Sequence, residues 1–225
     1  MKLRLKEKLQ ETADVHTFLF EPEAPVIYRA GQYLRYIVDH PNPDKEGTKR
    51  YFTIASAPSE HIIQLTTRYP EHVSTFKQTL LDLPVGAEIE AIGPMGDFTY
   101  PHPEKEVVFL AGGIGITPFR SMLVELATTN TFQAPITLLY ANRSSDIAFK
   151  ELFDQLAAEH PQLKVIYVEG RIDETIINQN VSDLQNPLFY VSGPEAMVEA
   201  MSGMLQGLGV EKTRIEEDFF PGYEN

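Results

Sequence analysis

The texture of the chain changes once, at Pro101-His102-Pro103, and this change restricts the fold more than any other feature of the sequence. Before it, apolar and polar residues alternate over short runs at 3–9, 15–20, 33–38, 50–55, 62–68 and 88–92. Alternation with period two places successive side chains on opposite faces of a strand, and turn residues around Pro22, Pro41, Pro58 and Gly93 separate the runs. Residues 1–100 are therefore expected to form an antiparallel β-barrel or sandwich. A single helical interval interrupts it, where Val73, Phe76, Leu80 and Leu81 share a face. After the break, apolar strands at 107–111, 136–140, 163–168 and 188–191 alternate with helical patterns at 118–128, 148–159 and 196–208. That order predicts a second domain over 101–225, an α/β doubly wound parallel sheet with helices on both faces.

Composition narrows the chemistry. The 225 residues carry 32 Asp and Glu against 19 Lys and Arg, a formal charge of -13, whereas nucleic acids and anionic membranes require a clustered basic face. There is no cysteine, so these residues cannot build a disulfide, a thiolate zinc site or a cysteine-ligated iron–sulfur cluster. His61, His72, His102 and His160 are scattered without metal-ligand spacing, and no metal is expected. Residues 1–10 alternate apolar with charged side chains, and no uncharged apolar run has membrane-spanning length, so no membrane insertion and a cytoplasmic location are expected.

Two segments carry candidate chemistry. Phe109-Leu110-Ala111 runs into Gly112, Gly113, Gly115, Thr117 and Pro118, a strand followed by glycines and the start of a helix. Glycines let backbone approach a pyrophosphate, and a helix N-terminus supplies free N–H groups; a tight turn without a ligand would need the same residues. The next strand ends in Asn142-Arg143 rather than an acidic residue, unlike the usual dinucleotide fingerprint. Arg143 can reach a nucleotide phosphate there or remain a solvated loop residue. In the first half, Arg50, Tyr51, Phe52 and Thr53 lie on one strand, with Arg50 and Phe52 on one face and Tyr51 and Thr53 on the other. An arginine fork can hold a phosphate, an aromatic ring can lie on a planar cofactor, and a hydroxyl can bond a ring nitrogen.

Taken in order, these segments resemble the ferredoxin–NADP reductase superfamily over essentially the whole chain. Arg50, Phe52 and Thr53 match its Arg-x-Tyr-Ser/Thr flavin motif, and Gly93-Pro94-Met95-Gly96-Asp97-Phe98 matches its Gly-Pro-x-Gly-x-Phe turn. Gly112 to Pro118 match its nucleotide loop, Ser192-Gly193-Pro194 a late Cys-Gly-Pro, and Glu216 to Phe220 its closing Glu-x-Phe segment. The resemblance implies an FAD-binding barrel followed by an NAD(P)-binding domain. It assigns FAD to Arg50, Tyr51, Phe52, Thr53 and the helix start at Val73, Ser74 and Thr75. Arg68 serves either the flavin or a surface salt bridge. The nucleotide falls to the glycine loop, Asn142, Arg143, Ser192, Gly193 and Pro194, with Thr53, Ser192 and Glu217 at the reacting centre. Phe219, Phe220 and Tyr223 either cover the flavin or close the core. Phenylalanine at 52 keeps the stacking surface and loses a hydroxyl, and serine at 192 is a harder neighbour for the nicotinamide than a thiol.

The implied activity is hydride transfer from NADPH or NADH to bound FAD, with electrons passed to a separate ferredoxin, flavodoxin or oxygenase component. Arg29, Arg35, Lys45, Lys49 and Arg50 are candidates for a basic docking patch within an acidic chain. The alternatives are an NAD(P)H:flavin reductase that uses flavin as a diffusing substrate, and a non-catalytic flavin or nucleotide sensor subunit.

Overall fold

The computed structural model describes residues 1–45 and 47–220, the last of these by its backbone. Among them, β1 (Lys2–Gln10), β2 (Val15–Pro22), β3 (Tyr33–Ile37), β4 (Lys49–Thr53), β5 (Ile63–Arg68) and β6 (Glu88–Met95) make one antiparallel sheet. Its order is β4-β3-β6-β1-β2-β5. The alternating pattern sends Leu3, Leu5, Phe18, Phe20, Leu34, Tyr36, Leu65, Ile89 and Ala91 inward. Helix α1 (Thr75–Asp82) closes this core with Phe76 and Leu80. The strand expected over 50–55 ends at Thr53, because the next two residues bridge the two open edges of the sheet. Ile54 N–H donates to the Gln32 carbonyl at 2.9 Å and Ala55 N–H to the Gln64 carbonyl at 2.8 Å, which gives the sheet its barrel form.

The second half alternates β7 (Val107–Gly112), α2 (Ile116–Thr128), β8 (Ile136–Asn142), α3 (Lys150–Glu159) and β9 (Leu163–Glu169), then α4 (Glu174–Asn180), β10 (Leu188–Pro194), α5 (Glu195–Gly207) and β11 (Ile215–Phe220). These strands form a parallel sheet in the order β11-β10-β7-β8-β9. Burial on both faces explains their nearly continuous apolar sequences. Phe109, Leu138 and Tyr140 face α2 and α3, whereas Val108, Leu110, Leu139 and Val191 face α4 and α5. The chain builds outward from β7 through β9 and returns to β7's other side with β10, so the strand order reverses between β7 and β10. A crevice opens at the carboxyl ends of such a pair.

The two sheets share a packed junction. Phe98 and Tyr100 leave the barrel and lie 5.9 Å from Phe119 and 5.8 Å from Phe109, ring centre to ring centre. Phe109 and Phe119 stack at 4.6 Å, and the Tyr190 hydroxyl donates to the Thr99 carbonyl at 3.0 Å. Phe119→Ala removes the ring shared by strand, helix and barrel exit. It is expected to lower unfolding free energy by about 3–5 kcal/mol in urea titration.

Candidate functional site

At the crevice, β7 ends at Gly112 and the chain turns through Gly113 to Gly115 into α2. Each glycine answers a different constraint. A Cβ on Gly115 would lie 2.2 Å from the Ser192 carbonyl oxygen, and one on Gly112 would lie 2.0 Å from the Met197 sulfur. Gly115 thus lets the turn press against the end of β10, and Gly112 makes room for α5. Gly113 has φ +53, and its Cβ position is 3.5 Å from an Arg68 guanidinium nitrogen. Thr117 Oγ1 donates to the Ile114 carbonyl at 3.1 Å, and Pro118 lies buried in the first turn of α2. Ser192, Gly193 and Pro194 end the neighbouring β10, with Ser192 fully buried.

Arg68, at the end of β5, makes the salt bridge expected as one of its two uses, its Nε 3.2 Å from Asp14 Oδ2, and its guanidinium also stands over Gly113 of the glycine turn. Asn142 ends β8 and is buried, and its Nδ2 has no partner among the described residues; Arg143 follows it, exposed. A helix N-terminus behind a glycine turn, a guanidinium and an unsatisfied buried amide together suit a dinucleotide diphosphate.

On the barrel side, Arg50 and Phe52 face α1 as their alternation requires. The Arg50 guanidinium carbon is 5.3 Å from the Phe76 ring centre, its Nη2 donates to Asp44 Oδ1 at 2.6 Å, and its Nη1 donates to the Gly47 and Lys49 carbonyls. Phe52 is half-buried, 5.9 Å from Tyr36 and 6.0 Å from Phe76. Tyr51 is exposed, edge-on to Tyr33 at 5.7 Å, and Thr53 is buried at the strand end. Val73 and Ser74 lead into α1, where Ser74 Oγ accepts from Lys77 N–H at 3.3 Å. Thr75 Oγ1 accepts from Asp44 N–H at 3.1 Å and lies 3.0 Å from His40 Nε2. Arg50, Asp44 and the first turn of α1 are therefore one cluster. A cation beside a helix N-terminus fits a diphosphate, and here a carboxylate already engages that cation. Of the basic residues singled out for docking, Arg50 engages Asp44 and Arg29 lies 3.5 Å from Asp97 Oδ1.

Strand alternation separates the acidic residues of β11. In register, Asp218 stands opposite Ser192 and Glu217 opposite Val191. Ser192 Oγ donates to Asp218 Oδ2 at 3.2 Å. Glu217 lies on the other face of the sheet, bound by Lys212 Nζ and Ser202 of α5. The structure thus brings Asp218 to Ser192, and Glu217 is held away from it. Burial, partly offset by the Ser192 hydrogen bond, pushes the Asp218 carboxyl up to about 6. Burial also opposes ionisation of Glu217, but Lys212 and Ser202 outweigh it and hold that carboxyl below the usual range. Phe219 is exposed opposite Gly193, while the Phe220 side chain and Tyr223 lie outside the described residues. Among the described residues no group of His, Asp and Glu could hold a metal ion, and no helix is long and apolar enough to cross a membrane.

Comparison with known proteins agrees with this architecture. Residues 109–203 match the oxidoreductase NAD-binding domain family. The fold matches the FAD/NAD-binding domain of nitric oxide dioxygenase from Vibrio cholerae O1 biovar El Tor with a TM-score of 0.84 at 25% identity, over 97% of this chain and 98% of that one. In sequence and fold the chain is similar to members of the ferredoxin–NADP reductase-like family. Among these, a flavohemoprotein of Burkholderia sp. (strain TH2) is 28% identical over 95% of this chain and 57% of its own length. A glycine betaine monooxygenase reductase subunit of Chromohalobacter salexigens is 27% identical, over 97% of this chain and 63% of its own length. The chain spans less than two thirds of either relative. Set against the superfamily's cysteine at position 192, the serine found here gains a partner in Asp218 that the sequence reading did not anticipate.

Asp218 offers a test independent of any ligand. Its ordinary value is 3.8 and its folded value about 6, so the folded chain binds this proton more tightly than the unfolded chain does. The associated stability is present below about pH 4 and is lost as pH rises through about 6. Asp218→Asn is expected to raise stability at pH 7 by about 1–3 kcal/mol and to flatten the decline between pH 4 and 7 in urea titrations.

Proposed function

We propose that the chain is an NAD(P)H-dependent flavoprotein reductase, in which hydride passes from NADPH or NADH to FAD and the electrons continue to a separate acceptor. The observation that carries this reading is the presence of two diphosphate-fitting clusters, Arg50 with α1 in the barrel and the glycine turn with α2 at the end of β7. In this reading residues 1–100 hold the flavin and residues 101–225 the nucleotide. Arg50 and the backbone at Val73, Ser74 and Thr75 bind the FAD diphosphate. Phe52 offers a ring to the isoalloxazine, and Thr53 a hydroxyl. Gly112, Gly113, Gly115, Thr117 and Pro118 admit the nucleotide diphosphate, Asn142 completes its hydrogen bonding, and Arg143 gives NADPH a cation for its 2′-phosphate. Ser192, Gly193 and Pro194 border the nicotinamide, with Ser192 fixed by Asp218. An oxidised flavin supplies the two-electron sink, so no side chain is required as acid or base for the transfer itself.

The relatives named as a flavohemoprotein and as a monooxygenase reductase subunit support an acceptor outside these residues. An oxygenase component, a ferredoxin or a flavodoxin would serve. One observation favours a second reading, NAD(P)H:flavin reductase with exchangeable flavin. Asp44 bonds Arg50 at 2.6 Å, and an incoming diphosphate has to displace that carboxylate.

An anaerobic visible spectrum during titration with NADPH and then NADH tests the proposal. A bound-flavin spectrum bleached by either nucleotide is expected, with most FAD lost in Arg50→Ala. A yellow protein that neither nucleotide bleaches would contradict it and point to a sensor subunit. Asp44→Asn is expected to tighten FAD binding about tenfold in fluorescence titration, by removing the competing anion.

A further inference from the structure

Helix α2 is buried along eight consecutive residues, Ile116 to Leu123, and Arg120 stands in the middle of them. Its Nη1 donates to Glu60 Oε2 and to the Ala55 carbonyl, both at 2.8 Å, and its Nη2 donates to Glu60 Oε1 at 3.0 Å. The plane of the guanidinium is set further by the Phe149 ring, 5.3 Å away. Glu60 Oε2 also accepts from Ala57 N–H at 2.6 Å. Two neighbours repeat the tie: Ser121 Oγ donates to the Ser56 carbonyl at 2.5 Å, and Ser59 N–H donates to Glu125 Oε2 at 2.9 Å. Burial opposes ionisation of Glu60, but the hydrogen bonds and charge of Arg120 outweigh it, so the pair is an ion pair at neutral pH.

These contacts join two short stretches of chain. The glycine turn ends at Gly115, five residues before Arg120, and Thr53 ends β4, two residues before Ala55. We propose that Arg120 and Glu60 are a positioning pair that fixes the nucleotide turn relative to Thr53, so that the rate of hydride transfer across the crevice depends on them. The inference rests on the reductase reading above and adds to it the part that holds the two half-sites in register. Stability alone is a poor explanation, because a buried ion pair is commonly replaced by apolar or neutral residues with little loss. What a bidentate guanidinium–carboxylate pair supplies, and an apolar contact does not, is a fixed orientation. An error of about 1 Å between reacting groups can cost about a hundredfold in rate.

The test is the double variant E60Q/R120M, in which glutamine can still accept from Ala57 N–H while the fork and both charges are gone. In the FAD-loaded chain, FAD and NADPH dissociation constants are expected to stay within about twofold of the parent. The limiting rate of flavin bleaching at saturating NADPH should fall about 10–100-fold in rapid mixing. In the flavin-free chain, amide hydrogen exchange over residues 54–62 is expected to quicken at least about tenfold. Arg120→Lys, which keeps the charge and loses the fork, gives a second variant should the double one fail to fold, and is expected to be slowed in the same step. A foldable variant with parental bleaching rate and parental exchange would overturn the proposal alone. A parent chain whose bound flavin no nucleotide bleaches would overturn the reductase reading and this inference with it.

Discussion

The arrangement of the molecule depends on the burial of α2 between two sheets. One side of the helix packs Phe119, Met122 and Leu123 against the parallel sheet, and the other meets the barrel segment that follows β4. Over Ile116–Leu123 the helix offers no solvent-facing position for a polar residue, so Arg120 and Ser121 must find partners in the barrel or incur a large desolvation cost. They find the carboxylate of Glu60 and the carbonyls of Ala55 and Ser56. Polar satisfaction of one buried helix therefore ties the barrel to the parallel sheet.

Charge is distributed to the same end. A chain with a formal charge of -13 repels anionic ligands at long range, so an anion site has to be made by local cations. Arg50, Arg68 and Arg120 each have an acidic partner, in Asp44, Asp14 and Glu60. Their surroundings differ: Arg120 is held within the protein by bidentate bonds, whereas the Arg68 side chain keeps 26% exposure and the Asp14 side chain 48%. The buried pair suits a permanent tie, and the more open one suits exchange with a ligand. Asp44, whose carboxylate bonds Arg50 while its own N–H bonds Thr75, links the proposed flavin diphosphate site to the loop before β4.

Much of the fold was legible because each half obeys one period. Alternation marked the barrel strands to within a few residues, and apolar runs marked β7 to β10. Helix α4 escaped because seven residues with only two apolar side chains, Ile176 and Ile177, carry little helical pattern. Strand β11 escaped because Glu216-Glu217-Asp218 reads as a polar tail; an edge strand beside β10 can carry charge that a central strand could not. At the site, the glycine turn and the Arg50 strand were readable as local motifs. That Asp218 and not Glu217 stands beside Ser192 was not readable, since a shift of one residue reverses the face of a strand and only the β10 register identifies the neighbour. Arg120 and Glu60 lie sixty residues apart, and nothing local in either segment announces the other.

The proposed reaction is direct hydride transfer between nicotinamide and flavin. It is tested most directly by reducing the FAD-loaded chain with NADPH deuterated at C4 on one face and then on the other, and measuring deuterium in the oxidised nucleotide by mass spectrometry. A fixed site presents one face of the nicotinamide, so one isomer should yield nucleotide free of deuterium and the other nucleotide that retains all of it. A mixture from both isomers, or no oxidation of either, would contradict the account.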